Sequence, residues 1–265
     1  MNLTSPSQVK EWCIANGFHP NKVLGQNFLI DRNALEAIVD AAQLAAPTRV
    51  LEIGPGLGVL TEEMLRRGHA VTAVEKDPVL AERLAASLGN PPNLTVIAGD
   101  ALDVICTEAC NAFPAMVSNL PYQAGTRILL DLVQRTDAPE TMVVLVQTEV
   151  AERLAAGPGS KTRGLAGVWS QLDYDVTLVR AVKANCFWPR PEIGSTVVRL
   201  VRHHRNDSLS PEVRDIFHRL TKQAFEHRRK QLGAIFKGVI ESTARAEELS
   251  NQDWIKLASE LKVKD

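Results

Sequence analysis

The chain has 265 residues, 45% of them hydrophobic and 23% charged, with a formal net charge of −1. That length and apolar content suit one large domain with a small companion and exclude wholesale disorder. Near-neutrality excludes a uniformly basic nucleic-acid binder, and no apolar run reaches the roughly 18 residues of a membrane span.

The opening residues, MNLTSPSQVKEWC, lack the apolar core of a signal peptide, so a cytoplasmic protein is expected. Residues 1–32 are mixed in character. A helical pattern follows from Asn33 to Leu44, then a buried strand, Arg49 to Ile53, and a tight loop, Gly54-Pro55-Gly56-Leu57-Gly58. Val59 to Arg67 reads as a helix, His69 to Glu75 as a strand and Pro78 to Leu88 as a helix. Leu94 to Ala98 and Ala115 to Ser118 are further strands, and Gly125 to Arg135 is helical. Met142 to Gln147 has almost no polar residue, which suits a central strand covered on both faces. Strands and helices alternating at this spacing predict an α/β fold with a mostly parallel, doubly wound, Rossmann-like sheet.

The texture then changes. Gly157-Pro158-Gly159-Ser160-Lys161 is a loop, and Tyr174 to Val182 and Ser195 to Val201 read as late strands, antiparallel at least in part. From Ser210 the pattern is helical and charged, which places a domain boundary near His203 to Ser208. The four cysteines, Cys13, Cys106, Cys110 and Cys186, have no paired metal-finger spacing, so free thiols and no metal site are expected.

Glycines after a first strand let the backbone approach a ligand closely. A dinucleotide fingerprint is G-x-G-x-x-G, and here the third glycine falls one place early. The loop suits a ribose and an amino-acid moiety with no pyrophosphate to cradle. Glu75 ends the second strand, where a carboxylate can accept both hydroxyls of a ribose. Asp100 follows the third strand, where it can accept from the exocyclic amine of adenine. Each has a plainer reading: a tight turn for Gly54 and Gly56, a helix-capping carboxylate for Glu75 and a loop cap for Asp100. Together they stand at the ends of successive strands, where ligands bind in open α/β sheets.

After the fourth strand comes Asn119-Leu120-Pro121-Tyr122. The set resembles the class I S-adenosylmethionine-dependent methyltransferases, in which an Asn/Asp-Pro-Pro-Tyr-type tetrapeptide marks methylation of exocyclic amino nitrogens. With Leu24-Gly25-Gln26-Asn27-Phe28-Leu29 upstream and Phe187-Trp188-Pro189-Arg190-Pro191 downstream, the chain resembles the ribosomal RNA adenine dimethylases from about Val23 to Lys237. The resemblance implies S-adenosylmethionine as cofactor, held by Asn27, Leu29, Gly54, Gly56, Glu75, Asp100 and Asn119. It implies a catalytic group of Asn119, Leu120, Pro121 and Tyr122, with Phe187 as a second ring around a flipped adenine. Asn119 and the Leu120 carbonyl would accept the two N6 protons. The implied partner is small-subunit rRNA within an immature 30S particle, with two adjacent adenosines of a 3′-terminal hairpin loop as target and a monomer acting on them. A large-subunit adenine methylase and a non-catalytic RNA-binding assembly factor are the competing readings. Glu192 departs from the family pattern, which usually has a basic residue there.

Residues 202–230 hold eight Arg and Lys against four acids, a local excess of four on a chain of net charge −1. Arg228, Arg229 and Lys230 are therefore candidates for phosphate contacts, against the plainer reading of a solvated helix surface. Lys161 and Arg163 in the glycine-rich loop are further candidates. The expected organisation is a catalytic domain over 1–205, with 1–32 as an N-terminal extension, and a helical RNA-contacting domain over 206–265.

Overall fold

The computed structural model describes residues 1–21, 24–107, 110 and 112–262. Val23, where the resemblance begins, lies outside the described residues. Helix α1 (Pro6–Ala15), strand β1 (Phe28–Leu29) and helix α2 (Arg32–Ala41) come first. Asp31 starts α2 by accepting the Ala34 N–H at 2.8 Å. The expected alternation follows: β2 (Arg49–Ile53), α3 (Val59–Arg66), β3 (Ala70–Glu75), α4 (Pro78–Ser87), β4 (Leu94–Ala98), α5 (Ala101–Val104), β5 (Ala115–Asn119), α6 (Gly125–Val133) and β6 (Thr141–Gln147). Then come α7 (Thr148–Ala155), α8 (Leu165–Asp173), β7 (Tyr174–Val182), β8 (Phe187–Trp188), β9 (Ser195–Arg202), α9 (Pro211–Glu226), α10 (Leu232–Ile235) and α11 (Asn251–Lys262).

Seven strands form one sheet in the order β4-β3-β2-β5-β6-β9-β7. Strands β2 to β6 run parallel, and β9 returns antiparallel to β6 along its whole length, from Thr141↔Val201 to Gln147↔Ser195. The chain order reverses between β2 and β5, so their carboxyl ends flank a switch point, the place where open α/β sheets bind ligands. Met142 to Val146 are all buried, as expected of a strand covered on both faces. Strand β5 runs one residue beyond the expected Ser118 and takes in Asn119. Strands β1 and β8 form a separate antiparallel pair, Phe28↔Trp188 and Leu29↔Phe187.

Two compact units emerge. The first comprises Met1–Ala151 with Thr177–Val201, the second Glu152–Val176 with Arg202–Asp265. The sequence placed its single break between residues 205 and 206. The later break falls close to that, at Arg202, and the segment 152–176 belongs with the C-terminal helices. In the first unit the core runs through Ile38, Val50, Leu60, Val117 and Val143, each at most 1% exposed. In the second it runs through Val168, Phe217, Leu232 and Trp254, all 0% exposed. Each such side chain contributes roughly 1.5–3 kcal/mol by leaving water. Asp173 in the second unit receives two hydrogen bonds from the Arg214 guanidinium, at 2.7 and 3.1 Å. Among the described residues no helix is long and apolar enough to cross a membrane.

Candidate active site

Strand β2 ends at Ile53 and the chain turns through Gly54 and Gly56, at φ +67° and +60°. Residues with a Cβ seldom adopt these angles. Space enforces the choice at Gly56, where a Cβ would stand 3.0 Å from the Phe28 ring. The turn aims the Gly56 N–H at Glu75, which accepts it through Oε2 at 2.9 Å. The Asp77 N–H donates to Oε1 of the same carboxyl at 2.9 Å. Glu75 is thus no helix cap, since the side chain of Asp77 caps α4. Glu75 is 5% exposed with both oxygens anchored, yet each keeps lone-pair capacity for a further donor. Burial pushes its pKa up, and the N–H groups of Asp77 and Gly56 pull against that.

A second acid stands beside it. Glu52 on β2 is 1% exposed and accepts a hydrogen bond from Thr61 Oγ1 at 2.6 Å. Burial pushes its carboxyl up to about 8, against the Thr61 bond and with the neighbouring Glu75 charge adding to the rise. Glu52, Gly54, Gly56 and Glu75 line one pocket. Two buried acids in one pocket favour a cationic occupant, because a positive charge relieves the cost of ionising them. S-adenosylmethionine carries a sulfonium and an ammonium, so the residues fit it.

Asn27, Leu29 and Asp100 line the same pocket. Asp100 is committed twice: Oδ1 caps α5 by accepting the Leu102 N–H at 3.0 Å, and Oδ2 accepts from Lys76 Nζ at 2.6 Å. The Lys76 bond, helped by the Leu102 N–H, holds its pKa below the usual carboxylate value. Opposite stands the tetrapeptide, with Asn119, Leu120, Pro121 and Tyr122 all on the pocket wall. The Leu120 N–H donates to the Leu145 carbonyl at 3.1 Å, and the Gly125 N–H closes the turn onto the Pro121 carbonyl at 2.7 Å. Tyr122 Oη and Ser195 Oγ share a hydrogen bond of 2.8 Å. Burial raises the Tyr122 pKa, and the Ser195 bond offsets part of the rise. Asn119 Nδ2 donates to the Asn27 main-chain carbonyl at 3.2 Å.

Two expectations need correction. Phe187 does not reach the pocket: it is 2% exposed, within the core of the first unit. It pairs with Leu29, and strand alternation turns it inward beside a half-buried Trp188. Arg163 is 1% exposed and spends its guanidinium on the Ala156 carbonyl at 2.8 Å and Asn251 Oδ1 at 2.9 Å, so it cannot reach RNA. Arg228 is half-buried, donating to the Lys161 carbonyl and lying 3.6 Å from Glu247 Oε2. Arg229 and Lys230 are exposed.

The sequence reading assigned no role to Glu52, Lys76, Gln26 or Ser195. Glu52 had a signal, an acid set among the apolar Val50, Leu51 and Ile53 of β2. Gln26 donates to Asp77 Oδ2 at 2.9 Å across 51 residues, a pairing that no local pattern encodes.

A parallel sheet whose switch point joins a glycine turn, a buried acid and an Asn-Leu-Pro-Tyr turn in one pocket is the construction of a class I methyltransferase that uses S-adenosylmethionine as methyl donor. The family model of the ribosomal RNA adenine dimethylases matches residues 17–264, and the chain belongs to that family. It is 37% identical over 262 residues to a ribosomal RNA small subunit methyltransferase A of Bifidobacterium longum, covering 92% of this chain and 85% of the relative. It is 38% identical over 251 residues to the protein of that name in Streptomyces coelicolor, covering 92% and 87%. Among solved structures, a dimethyladenosine transferase from Plasmodium falciparum matches with a TM-score of 0.77 at 24% identity, covering 88% of this chain and 97% of that one. The 23S rRNA methyltransferase ErmE matches with a TM-score of 0.68 at 25% identity, covering 89% and 100%.

Proposed function

We propose that this enzyme methylates N6 of two adjacent adenosines in a hairpin loop near the 3′ end of small-subunit (16S) rRNA. The product is N6,N6-dimethyladenosine, the substrate an immature 30S particle, and the setting cytoplasmic small-subunit biogenesis by a monomer. The observation that carries this reading is the convergence of Asn119, Tyr122 and Glu75 on one pocket. Relatives with the small-subunit name reach 37–38% identity over 92% of this chain, which favours the small subunit.

Bound S-adenosylmethionine supplies a methyl group already activated by its sulfonium. The adenine N6 is the weak partner, because its lone pair is delocalised into the ring. Once the methyl group has transferred, one N6 proton leaves to water; until then the Asn119 amide oxygen and the Leu120 carbonyl accept hydrogen bonds from the two N6–H groups. Both favour a tetrahedral nitrogen and gain strength as positive charge develops there, so they lower the barrier more than they tighten ground-state binding. Tyr122 offers a ring face to the flipped base, offsetting roughly 1–3 kcal/mol of the unstacking cost. Glu75 receives the ribose hydroxyls, and Gly54 and Gly56 let the backbone come close. Incubation with labelled S-adenosylmethionine and each immature ribosomal subunit, followed by base analysis, tests the reading. Label in N6,N6-dimethyladenosine of the small subunit is expected. Label confined to large-subunit RNA, or to another base, overturns it.

In the second unit the exposed Arg229 and Lys230 suit RNA phosphates, while Arg228 holds the loop that carries the exposed Lys161. Replacing Arg229 and Lys230 by Ala is expected to flatten the salt dependence of RNA binding. The log–log slope should change by at most about 0.9 per lost phosphate contact. Filter binding across a salt series measures it, with cofactor affinity as the control. An unchanged slope returns the pair to a solvated surface.

A further inference from the structure

We propose that the main-chain carbonyl of Asn27 is a positioning group for methyl transfer. It holds the Asn119 amide by its nitrogen and thereby aims the amide oxygen at the substrate amine. This rests on the reading of adenine N6 methylation above.

An asparagine amide has two ends of similar shape and opposite chemistry, an acceptor oxygen and a donor NH2. Only the oxygen can receive an N6 proton, so the amide is useful in one of its two orientations. Asn27 decides between them. Its carbonyl oxygen lies 3.2 Å from Asn119 Nδ2. The reverse orientation would set two oxygens against each other in a half-buried site. The carbonyl is itself held firmly. Asn27 Nδ2 donates to the Gly25 carbonyl at 3.0 Å. The next residues, Phe28 and Leu29, are locked into the pairing of β1 with β8, and the Ile30 N–H donates to the Cys186 carbonyl at 2.8 Å. Asn119 is fixed from its own side as the last residue of β5, in register with Leu145 of β6. Two separately anchored elements therefore meet at this one hydrogen bond.

The consequence is a requirement for Asn over Asp at position 119. If accepting the N6 proton were all that mattered, a carboxylate would serve at least as well. A carboxylate has no donor for the Asn27 carbonyl, however, and turns an oxygen toward it.

The test is Asn119→Asp, a substitution of nearly identical shape. Single-turnover methylation of immature small subunits is measured at saturating cofactor and compared with wild type at each pH, with cofactor affinity from calorimetry confirming a folded pocket. At neutral pH a loss of about tenfold or more is expected, the scale of an unsatisfied buried acceptor. As the pH falls, the introduced carboxyl takes up a proton and becomes a donor toward Asn27, so the ratio of variant to wild type rises. The other titratable groups of the pocket are Glu52, Glu75, Lys76, Asp100 and Tyr122. Glu52, raised to about 8, carries no charge over this range, and Asp100 and Lys76 are paired with each other at 2.6 Å. The half-buried place of the new carboxyl disfavours its charge and the cationic groups of the cofactor favour it, so the ratio rises as the pH falls toward the ordinary aspartate value of about 3.9. A wild-type rate at neutral pH, or a low ratio that stays flat with pH, overturns the proposal. Wild-type protein that fails to methylate adenine N6 would strike the functional reading instead, so the two failures are distinguishable.

Discussion

Replacing Asn119 by Ala is expected to lower single-turnover methyl transfer by about 10²–10³-fold, roughly 2.7–4 kcal/mol of barrier, the cost of removing one preorganised polar group that meets developing charge. The site explains why the loss falls on the chemical step. Asn119 stands at the carboxyl end of β5, half-buried, with its nitrogen occupied by Asn27 and its oxygen left for the substrate. In the proposed mechanism its contact with N6 strengthens as charge builds on that nitrogen, so truncation is expected to remove transition-state stabilisation first. Affinity for RNA should change little, because phosphate contacts dominate it. Rapid-quench methylation of prebound subunits at saturating cofactor separates the two quantities. A variant with a normal chemical step and weakened RNA binding would show that Asn119 grips RNA and does not act on N6.

The parallel core was legible because strand and helix periods differ and because glycine and proline punctuate the chain. The runs Arg49 to Ile53 and Leu94 to Ala98 coincide with strands β2 and β4, and Asp31 caps α2 as its type and position suggest. The lining of the pocket was legible for a related reason. Gly54, Gly56, Glu75 and Asn119 each follow or end a strand, and a parallel sheet brings all such ends to one edge. What stayed hidden was set by distance in the chain. Phe187 carries a motif position, but its burial depends on a two-residue pairing with β1, nearly 160 residues away, too short to leave a period of two. Arg163 reads as a loop cation, and only Asn251 and the Ala156 carbonyl make it a buried strut. The second unit begins earlier than the sequence suggested because 165–173 is a helix whose Val168 and Leu172 belong to the C-terminal core.

Glu52 gives the other large effect, on stability. Its carboxyl ionises at an ordinary value of 4.5 when the chain is unfolded and at about 8 when buried beside Glu75. The folded state therefore binds the extra proton between these values, and a state that holds more protons loses stability as the pH rises. Several oppositely signed contributions lie lower, Glu63 and His218 among them. Glu63, held down to about 2 chiefly by its hydrogen bond from Arg66, gives stability that is complete above 4.5. Burial holds His218 down to about 4 against a usual 6.5, so its gain with rising pH is complete by 6.5. Above that pH the slope belongs to Glu52. From pH 6.5 to 8 the ligand-free protein should lose on the order of 2 kcal/mol, at about 1.36 kcal/mol per pH unit. Glu52→Gln keeps an acceptor for Thr61 and cannot ionise, so its urea midpoint should stay nearly flat over that window and exceed that of wild type at pH 8. Cofactor adds a second signature, since its cationic groups favour the carboxylate and binding must then expel the proton. Calorimetry in buffers of different ionisation enthalpy should show proton release near pH 7 in wild type and markedly less in Glu52→Gln. Equal pH slopes for the two proteins would mean that Glu52 is already ionised in the folded state and that its proton plays no part in filling the pocket.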